Sequence, residues 1–579
     1  MSHQTCIVEG GTGTRADVLG QLQSLMQALE SGDRVVIISA DLIAVDDALA
    51  PVKSDPLAPS SVLVRVDPRG DVVVRHHTIV SCGTSFYEVV DPTHRSVGAM
   101  VIAAQDAPAA HQAISELRDA VAAGDVDVSH SQVVEAVTVA LVRRQIALRA
   151  VEMVDVPWFR APADRDAALR EVESVSRTKV QGLLANRMDD GFYSTFVVRK
   201  ASKPLTRLAL RAGVSPNTVT AISFAIGIAA AALFATGRWP LILIGAIALQ
   251  LSLIVDCVDG EVARATGTFT ALGAWLDAAT DRVKEFAAYG GLAIGAGVMG
   301  GDAWWIAITL IVLQTTRHVS DYDFAKIQRL REANVPQVDI RQRSDGRESA
   351  RGGLAGAMQA SARINRRSAV RWVKKIVHMP IGERWLLLSV LAVVAGPTWA
   401  LGGLLIAGVI AVAYVVVGRV VRTLTWSGAT PGDGPQVLRT QLDAGPVVSV
   451  IARVIPALTP SMHGRFAWSA PALLRAFELT AIALLVTVGF PTLQPLAFWI
   501  LFAIAYHHYD TLYRSLQGAA PPRWLAWLGF GWDGRVIVVG VIVTALAVTA
   551  AQASLTALLV WWVLWFAGVA SIQWLRSSR

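Results

Sequence analysis

Asp256-Cys257-Val258-Asp259-Gly260-Glu261-Val262-Ala263-Arg264, followed after eight residues by Gly273-Ala274-Trp275-Leu276-Asp277-Ala278-Ala279-Thr280-Asp281, is the stretch on which the reading of this 579-residue chain turns. Asp256 and Asp259 are spaced i,i+3, and Asp277 and Asp281 i,i+4. On helices each pair projects from one face, so the four acids are expected to converge. The apolar run Leu241 to Val255 leads into the first pair and Phe286 to Val298 follows the second, which puts the cluster where helices meet a membrane. Ionised carboxylates at that depth are costly unless wetted, paired or metal-bound, so the cluster reads as a functional site. Gly260 and Gly273 let the helices, or a bulky substrate, come close to it. The hard oxygen donors suit Mg²⁺ or Mn²⁺ rather than zinc or copper.

These residues resemble the signature of the CDP-alcohol phosphotransferases, D-x-x-D-G-x-x-A-R, eight residues, then G-x-x-x-D-x-x-x-D, with every fixed position present. The resemblance implies that Asp256, Asp259 and Asp277, with Asp281 beside them, hold divalent metal on a CDP pyrophosphate. Asp281 is then also the base that takes the proton from an acceptor hydroxyl. Pro216-Asn217-x-x-Thr220 resembles the family segment near the cytidine nucleotide, and Gly260, Ala263, Arg264 and Gly273 complete the implied CDP site. Gly382-Glu383-Arg384 is similar to a family element near the acceptor pocket. Arg384, Arg419 and Arg422 are expected to bind an acceptor phosphate, with a role as membrane anchors equally open.

The chemistry agrees. Attack of an alcohol on the β-phosphorus of a CDP-linked donor piles negative charge on the pyrophosphate, which a metal bridge neutralises while CMP leaves. A carboxylate within hydrogen-bond reach helps because an alcohol is a poor nucleophile at neutral pH. The expected activity is transfer of a phosphoalcohol group, a phosphatidyl group first of all, from a CDP-alcohol to a hydroxyl acceptor in phospholipid synthesis. One alternative is a soluble donor such as CDP-inositol; the other is a carrier or scaffold that turns nothing over.

With 53% hydrophobic residues and a mean hydropathy of +0.46, the chain is too apolar for an ordinary soluble protein and long enough for more than one domain. The fold class expected is a polytopic α-helical membrane protein with a six-helix core, about four further helices and an N-terminal soluble α/β domain. Cys6, Cys82 and Cys257 have no paired spacing, so neither a disulfide framework nor a Cys-ligated zinc is indicated. The net charge of +7 gathers beside the apolar runs, the pattern of an anionic membrane surface; nucleic acid is not an expected partner.

Met1 to Arg15 lacks the apolar core of a signal peptide. Residues 1–160 read as the cytosolic α/β domain: Val35 to Asp41 and Met100 to Ala104 are short buried-strand runs, and His111 to Ala122 is helical, so a mostly parallel sheet is expected. Gly10-Gly-Thr-Gly-Thr-Arg15 resembles the Gly-x-Gly-Thr-Arg loop of nucleotidyltransferases, and Ser39-Ala-Asp41 their metal-binding acid. No Pro-Lys follows the Arg and the two elements lie close together, so the resemblance implies a degenerate member.

Residues 161–214 form a basic amphipathic juxtamembrane segment, in which Arg199, Lys200, Lys203, Arg207 and Arg211 alternate with apolar residues. The membrane core, 215–422, has spans expected at 218–236, 238–257, 277–299, 303–321, 384–399 and 401–421, interrupted by a basic insert at 323–378. With the N-terminal domain inside, the acid cluster faces the cytosol at a plasma membrane. A linker, 423–468, leads to a C-terminal membrane domain, 469–579, with runs near 470–490, 494–510, 534–552 and 554–574. In it, Arg475 and Glu478 are expected to pair, and Ala505-Tyr-His507-His508-Tyr-Asp510 reads as an interfacial belt. The Ala/Gly face at Gly290, Gly291, Gly295 and Gly297 leaves room for a homodimer.

Overall fold

The computed structural model describes residues 4–8, 14–55, 58–75, 77–89, 91–185, 191–333, 368–426, 428–432, 434–455, 461–516 and 527–577. The glycines of the Gly10–Arg15 loop and the basic stretch Arg343 to Arg351 lie outside the described residues. The chain divides into two compact units: Met1–Arg187 with Glu261–Thr270 and Gln328–Arg351, and Met188–Gly260 with Ala271–Ile327 and Gly352–Arg579.

The first unit is built on a seven-stranded sheet of order β1-β2-β7-β4-β8-β6-β5, from β1 (Gln4–Val8), β2 (Val35–Ser39), β4 (Ser61–Val66), β5 (Val72–Arg75), β6 (Thr78–Cys82), β7 (His94–Ile102) and β8 (Arg149–Glu152). β3 (Leu42–Ala44) pairs separately with β9 (Trp158–Arg160). Strand alternation divides the core between the two faces. Val35, Ile37, Val62, Val64, Met100 and Ile102 pack with α1 (Arg15–Glu30), α3 (Ala107–Ala123) and α4 (Val133–Arg143). Val36, Leu63, Ala99 and Val101 pack on the other face with α2 (Ala50–Lys53) and α6 (Arg177–Leu184). α5 (Arg165–Glu173) packs against β3 and β9.

The sheet corrects the expectation of mostly parallel strands. β1–β2 and β4–β8 are parallel, but β2–β7, β4–β7, β5–β6, β5–β7 and β6–β8 are antiparallel. A parallel neighbour needs a crossover of a dozen residues or more, and β4, β5, β6 and β7 follow one another without a helix between them.

The second unit is helical. A π-turn, Ser194–Val198, leads into α7 (Arg199–Arg211), and then come α8 (Pro216–Ala235), α9 (Trp239–Thr266), α10 (Ala271–Val298) and α11 (Trp304–Ala333). After the undescribed stretch come α12 (Ser368–Val377), α13 (Ile381–Ala395), α14 (Pro397–Leu424), α15 (Gly434–Thr440), α16 (Pro446–Val454), α17 (Ala470–Gly489), α18 (Gln494–Leu516), α19 (Gly531–Ala545), α20 (Val548–Val563) and α21 (Ala570–Ser577). Ser215 caps α8 by accepting from the Thr218 amide at 3.2 Å, with Pro216 in the first turn, where its missing N–H costs nothing. Phe192 and Phe196 lie edge-on to Trp372 (centroids 5.6 and 5.1 Å). Phe192, Phe196, Leu208, Val373 and Ile376 are exposed on these basic helices, the composition of segments that lie in a membrane interface.

Among the described residues, five segments are long and apolar enough to cross a membrane, and make this an integral membrane protein: Pro216–Ala235, Trp239–Thr266, Pro397–Leu424, Ala467–Gly489 and Val548–Arg576. The other five expected spans are helices too, but α10, α11 and α18 carry buried charges, among them Lys284, Glu285, Arg317, Asp510 and Arg514. α13 and α19 have 15 residues each, short of the roughly 20 that span a bilayer. The boundaries shift as well. The span expected to end at residue 257 continues to Thr266, so Asp256 and Asp259 sit inside α9 rather than at its end. The run expected to reach 399 stops at Ala395, because Gly396 takes a left-handed φ of 89° and Pro397 restarts the helix.

Three glycines of the Ala/Gly face expected to leave room for a homodimer are packed within the chain, while a Cβ on Gly297 would meet nothing within 4 Å. A Cβ on Gly291 would stand 2.2 Å from the Ala231 carbonyl oxygen, one on Gly295 2.2 Å from that of Phe234, and one on Gly290 2.9 Å from the Phe498 ring.

Candidate active site: four carboxylates between two helices

α9 brings Asp256 and Asp259, and α10 brings Asp277 and Asp281, to one place in the helical unit. Oxygens of Asp256, Asp259 and Asp277 all lie within 4.8 Å of one another. Asp281 joins them through Lys284, whose Nζ lies 3.0 Å from Asp281 Oδ1 and 2.5 Å from Asp256 Oδ1. Lys284 is fully buried, and the side chains of Asp256 and Asp281 keep 12% and 16% exposure, enough to leave the cluster reachable.

α8 supplies the remaining donors. Thr220 Oγ1 donates to Asp259 Oδ2 at 2.6 Å, and Ser223 Oγ to Asp256 Oδ1 at 3.0 Å. Lys284 Nζ also donates to Ser223 Oγ at 2.9 Å. Gly227 makes room for the lysine stem, since a Cβ there would stand 2.7 Å from Lys284 Cγ and Cδ. The Gly260 amide donates to Asp259 Oδ1 at 2.5 Å.

The residues fit a hard divalent cation. Three carboxylates offer oxygens at a common point, and Asp281 Oδ1, buried beside the Lys284 ammonium, makes no hydrogen bond among the described residues. Lys284 was not singled out from the sequence. Its i,i+3 relation to Asp281 was the available signal, masked because the lysine opens an otherwise apolar run.

Among the other expected site residues, Thr220 reaches the cluster, whereas Asn217 is exposed at the start of α8 and the Pro216 carbonyl accepts from Thr220 Oγ1 at 3.1 Å. Gly273 lies one turn before Asp277 on α10. Ala263 and Arg264 belong to the other compact unit, where Arg264 donates from Nε and Nη2 to the Ala185 carbonyl oxygen (3.3 and 3.0 Å).

The arginines expected at the acceptor divide. Arg384 is 3% exposed and committed within the fold, with Nε and Nη2 on the Glu285 carboxylate (2.7 and 3.0 Å) and Nη1 on the Met379 carbonyl oxygen (2.9 Å). Arg419 donates to Ser320 Oγ at 2.7 Å and pairs with Asp321. Arg422 is half-buried and its guanidinium has no partner among the described residues. Sequence reasoning missed Arg317. It is buried beside Asp321 (Nε to Oδ2 3.7 Å), with Nε and Nη1 making no hydrogen bond among the described residues.

Two further expectations change. Asp41 in the soluble domain is taken up by Arg160, whose Nε lies 2.9 Å from it and whose Nη1 lies 3.0 Å from Glu135. His507 and His508 are 2% and 5% exposed, so they form no interfacial belt. They converge with Asp443, their ligand atoms within 4.8 Å of one another, because a bend of chain before α16 brings the acid over α18. That cluster is already neutralised: Arg535 spans Asp443 and Glu478, and Arg475 pairs with Glu478 at 2.6 Å as its spacing suggested.

Comparison with known proteins gives the cluster its context. The sequence model of the CDP-alcohol phosphatidyltransferase family matches residues 213–329, and that of a family of unknown function (DUF5941) matches residues 440–579. The phosphatidylinositol phosphate synthase of Mycobacteroides abscessus is 38% identical over 133 residues, 22% of this chain and 58% of that protein. That of Mycolicibacterium smegmatis is 36% identical over 124 residues, 21% of this chain and 54% of the relative. The bifunctional IPC transferase and DIPP synthase of Rubrobacter xylanophilus is 35% identical over 148 residues, 26% of this chain and 32% of the relative. The chain thus covers less than two thirds of the length of each of these relatives. All fixed positions of the two-helix acid signature lie inside residues 213–329, the segment that is similar to the CDP-alcohol phosphatidyltransferase family.

Proposed function

We propose that the protein transfers a phosphoalcohol group from a CDP-alcohol to a hydroxyl acceptor, releasing CMP, in phospholipid synthesis at the cytosolic face of a membrane. The observation that carries this reading is the meeting of Asp256, Asp259 and Asp277 oxygens within 4.8 Å, with Asp281 tied in through Lys284. A bound Mg²⁺ or Mn²⁺ would neutralise charge on the CDP pyrophosphate and favour CMP as leaving group. Asp256, Asp259 and Asp277 would hold it. Thr220 and Ser223 orient the carboxylates of Asp259 and Asp256 from α8, so their lone pairs are fixed before substrate arrives. Asp281 accepts the proton of the attacking hydroxyl, with the Lys284 ammonium 3.0 Å from its Oδ1.

The names of the relatives favour a phosphatidyl donor and an inositol phosphate or similar polyol phosphate as acceptor. Arg317 and Arg419, both against Asp321, supply the positive charge such a phosphate requires, with Arg422 free to add to it. Arg384 serves instead as the structural partner of Glu285.

The test is CMP release by the purified full chain from CDP-diacylglycerol and from soluble CDP-alcohols, against polyol phosphate acceptors, with and without divalent metal. Metal-dependent release that vanishes in Asp281→Asn supports transfer. No release from any CDP-alcohol returns the protein to the carrier or scaffold class.

A further inference from the structure

α10 carries Asp277 and Asp281 on one side and is gripped from the opposite side by the C-terminal helices, a part of the chain to which the transfer chemistry assigns no role. The Trp275 indole N–H donates to Asp510 Oδ1 on α18 at 3.0 Å. The Trp574 indole N–H on α21 donates to the same oxygen at 2.8 Å, and Arg514 Nε donates to Asp510 Oδ2 at 2.7 Å. The two indoles stack with centroids 5.5 Å apart and planes 22° apart. Trp275, Asp510, Arg514 and Trp574 are all under one tenth exposed. A second grip lies further along the same helix, where Arg282 stands 5.6 Å over the Tyr509 ring and Phe286 meets Phe502 edge-on at 5.5 Å.

Helical geometry separates the two faces. At roughly 100° per residue, Trp275, Arg282 and Phe286 fall within about 20° of one direction, while Asp277 and Lys284 point roughly 160° to 180° away from it and Asp281 about 120° away. A small rotation or slide of α10 therefore moves Asp277 and Asp281 away from Asp256 and Asp259, which stand on a different helix.

We propose that the C-terminal region matched by the family of unknown function acts on the transfer site in cis, with Asp510 as a positioning residue. Through the Trp275 indole it sets the rotation and height of the helix that bears Asp277 and Asp281. Asp510 touches neither those carboxylates nor the reacting groups; its effect passes through one hydrogen bond and one buried ring. The inference rests on the transfer reading for its consequence in turnover, but not for its consequence in metal binding. Outer partners of metal ligands characteristically change affinity or activity by roughly ten- to a hundredfold when lost.

The experiment compares Trp275→Phe, Asp510→Asn and the double variant with the wild-type full chain in detergent or nanodiscs. Trp275→Phe keeps an aromatic ring against Trp574 while removing the N–H donor and part of the ring volume. Three quantities are read: cooperative thermal unfolding, Mn²⁺ binding by the loss of free-ion EPR signal, and kcat and KM for CMP release. The expected result is folded protein, Mn²⁺ affinity and kcat each lowered about tenfold or more, an almost unchanged donor KM, and a double variant no worse than the poorer single one. Wild-type Mn²⁺ affinity in folded Trp275→Phe overturns the proposal, as does a double variant whose losses simply multiply. Should Asp510→Asn fail to fold, Trp275→Phe decides alone. If the wild type releases no CMP, the transfer reading falls while Mn²⁺ binding still decides this one.

Discussion

Lys284 Nζ stands 2.5 Å from Asp256 Oδ1, joining the helix of the second acid pair to the helix of the first. Its stem passes Gly227 on α8, so three helices meet at one buried ammonium. Four carboxylates in one apolar setting repel each other, and a fixed cation among them makes the cluster tolerable before any metal arrives.

Removing that cation separates structural from metal-borne stabilisation. Lys284→Met leaves buried carboxylates uncompensated, at a cost of about 3–5 kcal/mol. A divalent ion supplies the missing charge, so Mg²⁺ or Mn²⁺ should raise the melting temperature of Lys284→Met by more than it raises that of the wild type. Thermal unfolding in detergent with and without metal checks this. An equal or smaller metal effect in the variant means that the lysine does not share the acids' charge.

The carboxylates differ in what their loss should do. Asp281→Asn removes the proposed base and should lower kcat by roughly a hundred- to ten-thousandfold with little change in donor KM. Asp256→Asn and Asp259→Asn remove metal donors and should abolish saturable Mn²⁺ binding. Steady-state CMP release beside Mn²⁺ titration distinguishes the two; loss of metal binding in all three alike would make Asp281 a plain ligand.

Much of this was legible because it is local. The acid spacing, the helix starts at Ser215-Pro216 and the ten apolar or amphipathic helices are short-range properties of the chain, and the structure has helices at each of those positions. What stayed hidden depends on distant partners. Asp510 and Trp275 are 235 residues apart, and Arg384 and Glu285 are 99 apart, separations that no periodicity encodes. Arg384 therefore read as an open phosphate ligand although its partner lay in another helix. In the soluble domain the strand runs were visible, but strand direction depends on whether a crossover intervenes, and the succession from β4 to β7 has none.

The α8–α10 contact should be sensitive at one glycine and indifferent at another six residues on. Gly291→Ala drives a methyl against the Ala231 carbonyl oxygen and must spread the helices, at a cost of about 1–3 kcal/mol. Because α10 carries two site carboxylates, CMP release should fall with it. Gly297→Ala meets nothing within 4 Å and should leave activity unchanged, with stability equal or slightly higher. Melting temperature and turnover of both variants check the contrast; equal effects would mean that α8 and α10 are not held at that contact.

The soluble domain has its own titration, at Asp71. Burial pushes this carboxyl up to about 6, with the Glu135 charge adding to the rise, against the Ser96 amide that donates to it at 2.7 Å. The folded domain therefore holds the proton more tightly than the unfolded chain, whose Asp titrates near 3.9. Stability from this group is fully present below about pH 4 and falls as pH rises through about 6; above that the ionised form costs about 3 kcal/mol at most. Asp71→Asn keeps an acceptor for the Ser96 amide and has no charge to bury. The variant should match the wild type near pH 4 and be more stable above pH 6. Calorimetric melting of the full chain from pH 4 to 8 checks this, and a variant less stable than the wild type at pH 7.5 would mean that the ionised carboxylate contributes more through the Ser96 hydrogen bond than it loses by burial.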